Sequence, residues 1–352
     1  LTLDGKAPRS QHTVPKPTEF TLENEYLKAA VDAQTGLVRS LMRDRHEFVS
    51  EPEGLVVQRY LDGGDPWHIK LAGDASKLTR AQSVDLVERG PVRTMVRITR
   101  KEGNTEIVQE LSLCKAVPRL VCRTTLSCGD MYVLYKASVS VNLGAAKATF
   151  EIPFATISRD ATGIDRPAQN WVDLSDAERG LALLNDGRYG YDIEGGKAIR
   201  LTLLRNPKGH RSNEGTDTGV HSTSLALYPH DGQWTSGVVR QGLEFNNPLL
   251  CHADSQHEGD LPASLSFLSL SAAGSVVSCL KPHEDSEDLV LRIYEAHGQG
   301  IEDAGMRGRI KCEGLEEIDM TERQTVARLQ GKGPVPLSAY EIKTLRLKGP
   351  RI

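Results

Sequence analysis

Apolar and polar residues alternate with a period of two along much of the chain. Ala137, Val139, Val141 and Leu143 are interleaved with Lys136, Ser138, Ser140 and Asn142, a spacing that puts the first set on one face of a β-strand and the second on the other. Ala148, Phe150, Ile152 and Phe154 repeat the pattern against Lys147, Thr149 and Glu151, and Pro153 marks a strand end or a sheet edge. Similar half-buried strands are predicted around residues 92–99, 107–113, 120–126, 199–203, 265–270 and 289–294. No segment sustains a helical period. Many strands at short spacing, separated by Gly, Asp, Asn and Pro clusters, predict an all-β protein of antiparallel sheets packed face to face. Residues 1–19, with three prolines and several basic residues, read as a linker or the tail of a preceding domain, and the core begins near Phe20.

Composition narrows the class. The 352 residues are 39% hydrophobic and 26% charged, the balance of a folded globular chain rather than a disordered or fibrous one. Lys+Arg number 43 against 47 Asp+Glu, for a net charge of -4, so no general positive field exists to hold nucleic acid or an anionic membrane. No apolar run approaches the roughly 20 residues of a spanning helix, and the first residues lack the apolar core of a signal peptide. A cytoplasmic location is the expectation. The six cysteines form no C-x-x-C pair, and we read them as buried thiols rather than a zinc ribbon or a disulfide scaffold. Because the chain opens on Leu1 rather than Met, further sequence upstream is expected.

Three clusters carry candidate chemistry. His252, Asp254, His257 and Glu258 share a loop and offer imidazole and carboxylate ligands, but the spacing is unspecific and a solvated polar loop accounts for the same residues. The run from Asn185 through Asp186, Tyr189 and Tyr191 to Asp192 suits a sugar, since flat rings pack on the apolar faces of a pyranose while carboxylates and amides bond its hydroxyls. A strand, a hairpin turn and a second strand would explain it equally. Arg205 leaves a strand into a polar loop, with Asp217 and His221 beyond. It is placed either to grip an oxygen-rich ligand or to brace the fold by pairing with Asp217. His221, His230 and His283 read as satisfied loop histidines. Glu151, Glu295 and Glu341 sit in strand-like runs, where each is a buried carboxylate with a shifted pKa or an exposed one without.

The run Leu22-Glu23-Asn24-Glu25-Tyr26-Leu27, Glu88-Arg89-Gly90-Pro91, Glu151-Ile152-Pro153-Phe154, Trp171-Val172-Asp173-Leu174-Ser175, the stretch 180–192, Tyr228-Pro229-His230 and Tyr340-Glu341-Ile342-Lys343 follow one another in an order that resembles the C-terminal β region of glycoside hydrolase family thirty-eight, the α-mannosidases. The resemblance implies a large antiparallel β-supersandwich of galactose mutarotase-like kind, residues 20–260, followed over 261–352 by its final strands and a smaller C-terminal β-sandwich unit. It also implies a chain without the catalytic machinery. In that family the nucleophile and the zinc ligands belong to an N-terminal α/β portion that has no counterpart here, so no catalytic residue, metal or cofactor is assigned to this chain, and zinc is expected in the absent portion.

Retaining hydrolysis asks for two carboxyl groups about 5–5.5 Å apart, and no motif singles out such a pair. The partners implied are that catalytic portion and a mannoside. By motif position Arg205 is the leading contributor to sugar binding, followed by Asp186, Tyr189 and Tyr191. The segment 126–136 departs from the family, whose members often carry a Trp-His-Glu cluster there. The competing expectation is an independent carbohydrate-binding or sugar-epimerising protein, with His221 and Glu295 as proton donor and acceptor.

Overall fold

The computed structural model describes residues 17–144, 146–209, 217–256, 258–260, 262–329 and 333–351. The alternating segments form two large antiparallel sheets. In the ten-stranded sheet the order is Glu19–Glu23, Leu27–Asp32, Val38–Arg43, Leu55–Asp62, Val133–Ser140, Ala198–Asn206, Gly190–Glu194 and Arg166–Pro167, with His46–Glu47 and Leu71–Lys77 paired off this path. The nine-stranded sheet runs Ala155–Arg159, Lys147–Ile152, Trp171–Ser175, Arg179–Asn185, Gly219–Asp231, Leu120–Cys128, Thr105–Cys114, Arg93–Glu102 and Ser83–Arg89. Their facing surfaces bury one continuous core that includes Val133, Tyr135, Ala137, Val139, Phe150 and Leu201. This is the supersandwich that the alternation and the resemblance both implied.

The outer faces are less exposed than simple alternation suggests. Lys136 and Ser138 point away from the core yet are buried, because the Lys136 ammonium is held by Asp165 at 2.7 Å and Asp192 at 2.5 Å. On the nine-stranded sheet the outward residues Trp171, Ala182, Leu184, Ala226 and Tyr228 form a second core with Val238, Val239, Tyr294 and Ala296. Fully burying such side chains stabilises by about 1.5–3 kcal/mol each, so this face needs a cover. The cover is a helix, Val238–Asn246, and one end of a further sheet, at Val276, Tyr294 and Ile342. Sequence patterning missed the helix because it is short, but Val238, Val239, Gly242 and Leu243 recur at helical spacing. Gly242 is required there, since a Cβ would lie 2.7 Å from Cδ1 of Trp171.

Beyond the helix stands a five-stranded antiparallel sheet, Ser275–Pro282, Leu289–Glu295, Ile342–Lys348, Gly314–Ile318 and Thr325–Leu329, with Ser269–Leu270 paired to Met306–Arg307 beside it. Leu291, Ile293, Leu315, Val335, Leu337 and Leu345 make its own core. Two expectations change here. Among the described residues no strand after 260 joins either large sheet, so the supersandwich ends with Gly219–Asp231 and residues 261–352 add no strands to it. Of the expected strand at 265–270 only Ser269–Leu270 forms. The expected linker lies outside the described residues up to position 16, and the first strand opens at Glu19. Among the described residues no cysteine is in a disulfide, but only Cys122 and Cys128 are buried, and Cys251 is exposed.

Candidate functional site

The stretch from Asn185 to Tyr191 is not a hairpin within one sheet. It carries the chain from Arg179–Asn185 in the nine-stranded sheet to Gly190–Glu194 in the ten-stranded one. Such a crossing leaves backbone groups without ladder partners, and nearby side chains supply them. Asn185 Oδ1 accepts the N–H groups of Gly187 and Arg188 at 2.7 and 2.6 Å, and its Nδ2 donates to the Gln169 carbonyl and the Tyr191 hydroxyl, both at 2.6 Å. Asp186 accepts the Thr223 hydroxyl at 2.7 Å and the Ser224 N–H at 2.8 Å. Tyr191 is wholly buried in the main core, and that burial pushes its hydroxyl pKa up. Asp186 and Tyr191 therefore hold the crossing in place. Tyr189, standing out of the rigid turn at 61% exposure, is the side chain they present.

Arg205 takes the bracing role read in the sequence, with a different partner. Its Nε donates to Asp62 Oδ2 at 2.6 Å, and its Nη atoms donate to the carbonyls of Asp65, Pro66 and His68 at 2.7, 3.2 and 2.7 Å. The brace exists, but its carboxylate is Asp62 rather than Asp217. Burial raises the Asp62 pKa, but the bond from Arg205 and the N–H groups of Lys70 and Gly64 outweigh it and hold that carboxyl below its ordinary range. Gly64 permits the tight loop, since a Cβ would fall 1.8 Å from the His68 carbonyl oxygen. The loop so fixed displays Trp67 at 68% exposure.

Tyr189, Arg205, Asp217 and His221 line one cleft of about 310 Å³. The structure thus gathers parts of two sequence candidates at one place. His221 Nε2 lies 2.9 Å from the Asp217 carbonyl, a contact that orients the ring over the cleft. An aromatic ring, an imidazole and a carboxylate at one opening suit a polyhydroxylated ligand. Tyr189 also borders a second cleft with Glu151.

The remaining candidates separate. Glu295 is buried with both oxygens occupied by the N–H groups of His297, Gly298, Gln299 and Tyr340 at 2.7–3.1 Å. It sits in the C-terminal sheet while His221 sits in the nine-stranded one, so the donor and acceptor suggested for an epimerase have separate surroundings. His230 is buried against Asp173 at 2.8 Å, and His283 bonds backbone groups at Glu322 and Asp285. Glu341 accepts the Ser338 N–H at 2.7 Å. Glu151 is the exception: buried, with its pKa raised to about 7 by desolvation, a value its polar position in the alternation did not reveal. His257 lies outside the described residues. Among those described, no group of three or more His, Cys, Asp and Glu side chains is placed to hold a metal ion. No helix among them is long and apolar enough to cross a membrane.

A two-sheet supersandwich, capped by a helix and a separate β-sandwich unit and bearing an aromatic and imidazole-lined cleft at a sheet crossing, defines an all-β module of two units. Residues 22–210, more than half of the chain, match the family described as glycosyl hydrolases family 38 C-terminal domain, and the chain belongs to that family. Residues 275–345 match the description glycosyl hydrolases family 38 C-terminal beta sandwich domain. Alpha-mannosidase G of Dictyostelium discoideum is 28% identical, with 93% of this chain aligned to 32% of that protein. Human alpha-mannosidase 2C1 is 29% identical, with 85% of this chain aligned to 31% of it. The chain therefore spans about a third of the length of the curated relatives it matches. The crystal structure of an alpha-mannosidase from Enterococcus faecalis V583 superposes with a TM-score of 0.79 at 15% identity, over 95% of this chain and 42% of that one, which shows a shared fold.

Proposed function

We propose that the chain serves as the noncatalytic C-terminal β portion of an α-mannosidase, packing against a catalytic portion of the same parent chain and lending one wall to its sugar pocket. Membership of the family-38 C-terminal domain family over residues 22–210 carries this reading. The cleft formed by Tyr189, His221 and Asp217 supports it, and Arg205 acts in it as a positioning residue through the loop that displays Trp67. Exposed apolar side chains at Trp67, Val220, Leu249 and Leu250 suit a surface that packs against further protein. Hydrolysis itself is assigned elsewhere, because among the described residues lining this cleft Asp217 alone carries a carboxyl, whereas retaining chemistry uses a pair.

The test is kinetic. In the parent enzyme, Tyr189→Ala should raise KM for p-nitrophenyl α-D-mannopyranoside and lower kcat/KM by about tenfold, the loss of one ring-stacking contact. An unchanged kcat/KM would remove the cleft from the sugar pocket. The 352-residue chain alone, with zinc added, should leave the same substrate intact, and robust hydrolysis by it would overturn the noncatalytic assignment.

A further inference from the structure

The C-terminal unit sets its five-stranded sheet against a ribbon of two short strands, Ser269–Leu270 and Met306–Arg307. Five strands spread over about 19 Å and two residues of strand over only about 7 Å, so the ribbon leaves part of the sheet face uncovered. What is left is a cavity of about 290 Å³. Leu315, Val335 and Leu347 form its floor, none more than 4% exposed and all part of this unit's own core. Leu268, Met306 and Ile310 wall it. Close-packed interiors seldom leave voids larger than a water molecule, and this one is near the lower end of the volumes that hold small ligands.

The walls stand on fixed backbone. Asp303 Oδ1 accepts the N–H groups of Gly305 and Val335, both at 3.0 Å. The Ile310 N–H donates to the Phe267 carbonyl at 3.2 Å, and Lys311 and Arg351 exchange backbone bonds at 2.8 and 2.9 Å. The lip is charged. Arg307 and Lys311 also line the cavity, and both are exposed. Among the described residues Arg307 makes no ion pair, and the Lys311 ammonium donates to the Gly308 carbonyl at 3.2 Å. Other cations of this unit are matched: Lys343, Arg346 and Arg351 meet Glu317, Asp288 and Glu313 at 2.6–3.0 Å. Asp303 is the one carboxylate among the described lining residues, and its Oδ1 is already committed, so two cations at the lip face one anion.

We propose that this cavity binds a free medium-chain monocarboxylate, with the alkyl chain on Leu315, Val335 and Leu347 and the carboxylate at the Arg307 and Lys311 side chains. A guanidinium can meet a carboxylate through two parallel N–H···O bonds, and the apolar floor takes the chain out of water. An uncharged apolar molecule would leave both cations unanswered, and a small inorganic anion would leave the floor bare. The site shares no lining residue with the cleft of Tyr189 and His221, so its test stands apart from the function proposed above.

The full chain would be titrated with acetate, butanoate, hexanoate, octanoate and octanol by ligand-observed NMR and calorimetry, with folding of each variant checked by circular dichroism. Octanoate should bind with a dissociation constant of about 1 mM. Along the carboxylate series affinity should rise about fourfold per methylene buried, and octanol, without a charge, should bind about fivefold more weakly than octanoate. Arg307→Gln should weaken octanoate about fivefold and leave octanol unchanged. Lys28→Gln, the same loss of charge on the ten-stranded sheet, should change neither. Met306→Trp, which fills the cavity, should weaken octanoate at least about tenfold. Octanoate should also slow alkylation of Cys312, which lines the cavity, and not that of the exposed Cys251, as read by mass spectrometry. No binding up to about 10 mM octanoate, ten times the expected constant, would overturn the proposal. So would affinity independent of chain length, or equal losses in Arg307→Gln and Lys28→Gln. Should Met306→Trp fail to fold, the chain-length series and Arg307→Gln still decide the matter.

Discussion

Asp62 and Glu151 both bury a carboxyl near the end of a strand, yet their surroundings push them in opposite directions. Asp62 receives Arg205 and the N–H groups of Gly64 and Lys70 at 2.6–2.9 Å and is held below its ordinary range. Glu151 is desolvated more than its donors can offset, these being the Asn170 N–H at 2.6 Å and the side chains of Asn170 and Trp171, and it is pushed up to about 7. Desolvation acts on both, so the cationic partner, present at Asp62 and missing among the described residues around Glu151, decides the sign. A buried carboxylate paired with a guanidinium stays charged and fixes a loop, whereas one buried with neutral donors alone keeps its proton toward neutral pH.

The largest effect should come from breaking the charged pair. Arg205→Ala leaves Asp62 buried without its counter-charge, and we expect a loss of about 3–5 kcal/mol in urea unfolding at pH 7. Because the Asp62 pKa is lowered on folding, its contribution is present above the unfolded carboxylate value and fades as pH falls through the folded one. The Arg205→Ala penalty should therefore shrink in acid, and a penalty independent of pH would contradict the ion-pair account.

Glu151→Gln tests the opposite case. A carboxyl whose folded pKa is raised contributes fully below its unfolded value, near 4.5, and loses that contribution as pH rises through about 7. The variant should match wild type near pH 5 and exceed its stability above pH 8 by up to about 3 kcal/mol, the equivalent of the pKa gap. Equal stability at both pH values would mean that Glu151 is not desolvated.

How much of this was readable beforehand follows the physics of each element. Period-two alternation gives the inner face of a strand directly, so Val133–Ser140 and Lys147–Ile152 were legible along with the all-β class. It does not say whether the outer face is covered. Lys136 and Glu151 were read as the polar side and are buried, one by ion pairing and the other beneath a helix and a sheet supplied by later sequence. Arg205, Asp186, Tyr189 and Tyr191 were singled out as residue types suited to sugars, and the structure distributes their roles. Tyr189 reaches the cleft as a free ring surface, Asp186 and Tyr191 secure the crossing, and Arg205 acts through residues 62–68, which no local pattern linked to it.

Smaller perturbations sharpen the contrast. Gly64→Ala would put a Cβ 1.8 Å from the His68 carbonyl oxygen, disturbing the loop while leaving both charges of the ion pair in place. A cost of about 1–3 kcal/mol is expected, measured by urea unfolding, together with faster proteolysis near Trp67. A change below this range would show that the loop tolerates the clash without Arg205 releasing it. Tyr189→Ala should alter stability by no more than about 0.5 kcal/mol, as for an exposed side chain away from any network. A larger loss in thermal unfolding would mean that Tyr189 supports the crossing instead of being displayed by it.

The most direct measurement is a carbon-detected NMR titration of side-chain carboxyls, following Glu151 and Asp62 in the same sample. The account expects Glu151 to titrate near 7 and Asp62 to titrate below the ordinary aspartate value. Both carboxyls titrating together near 4, the unperturbed range, would contradict it.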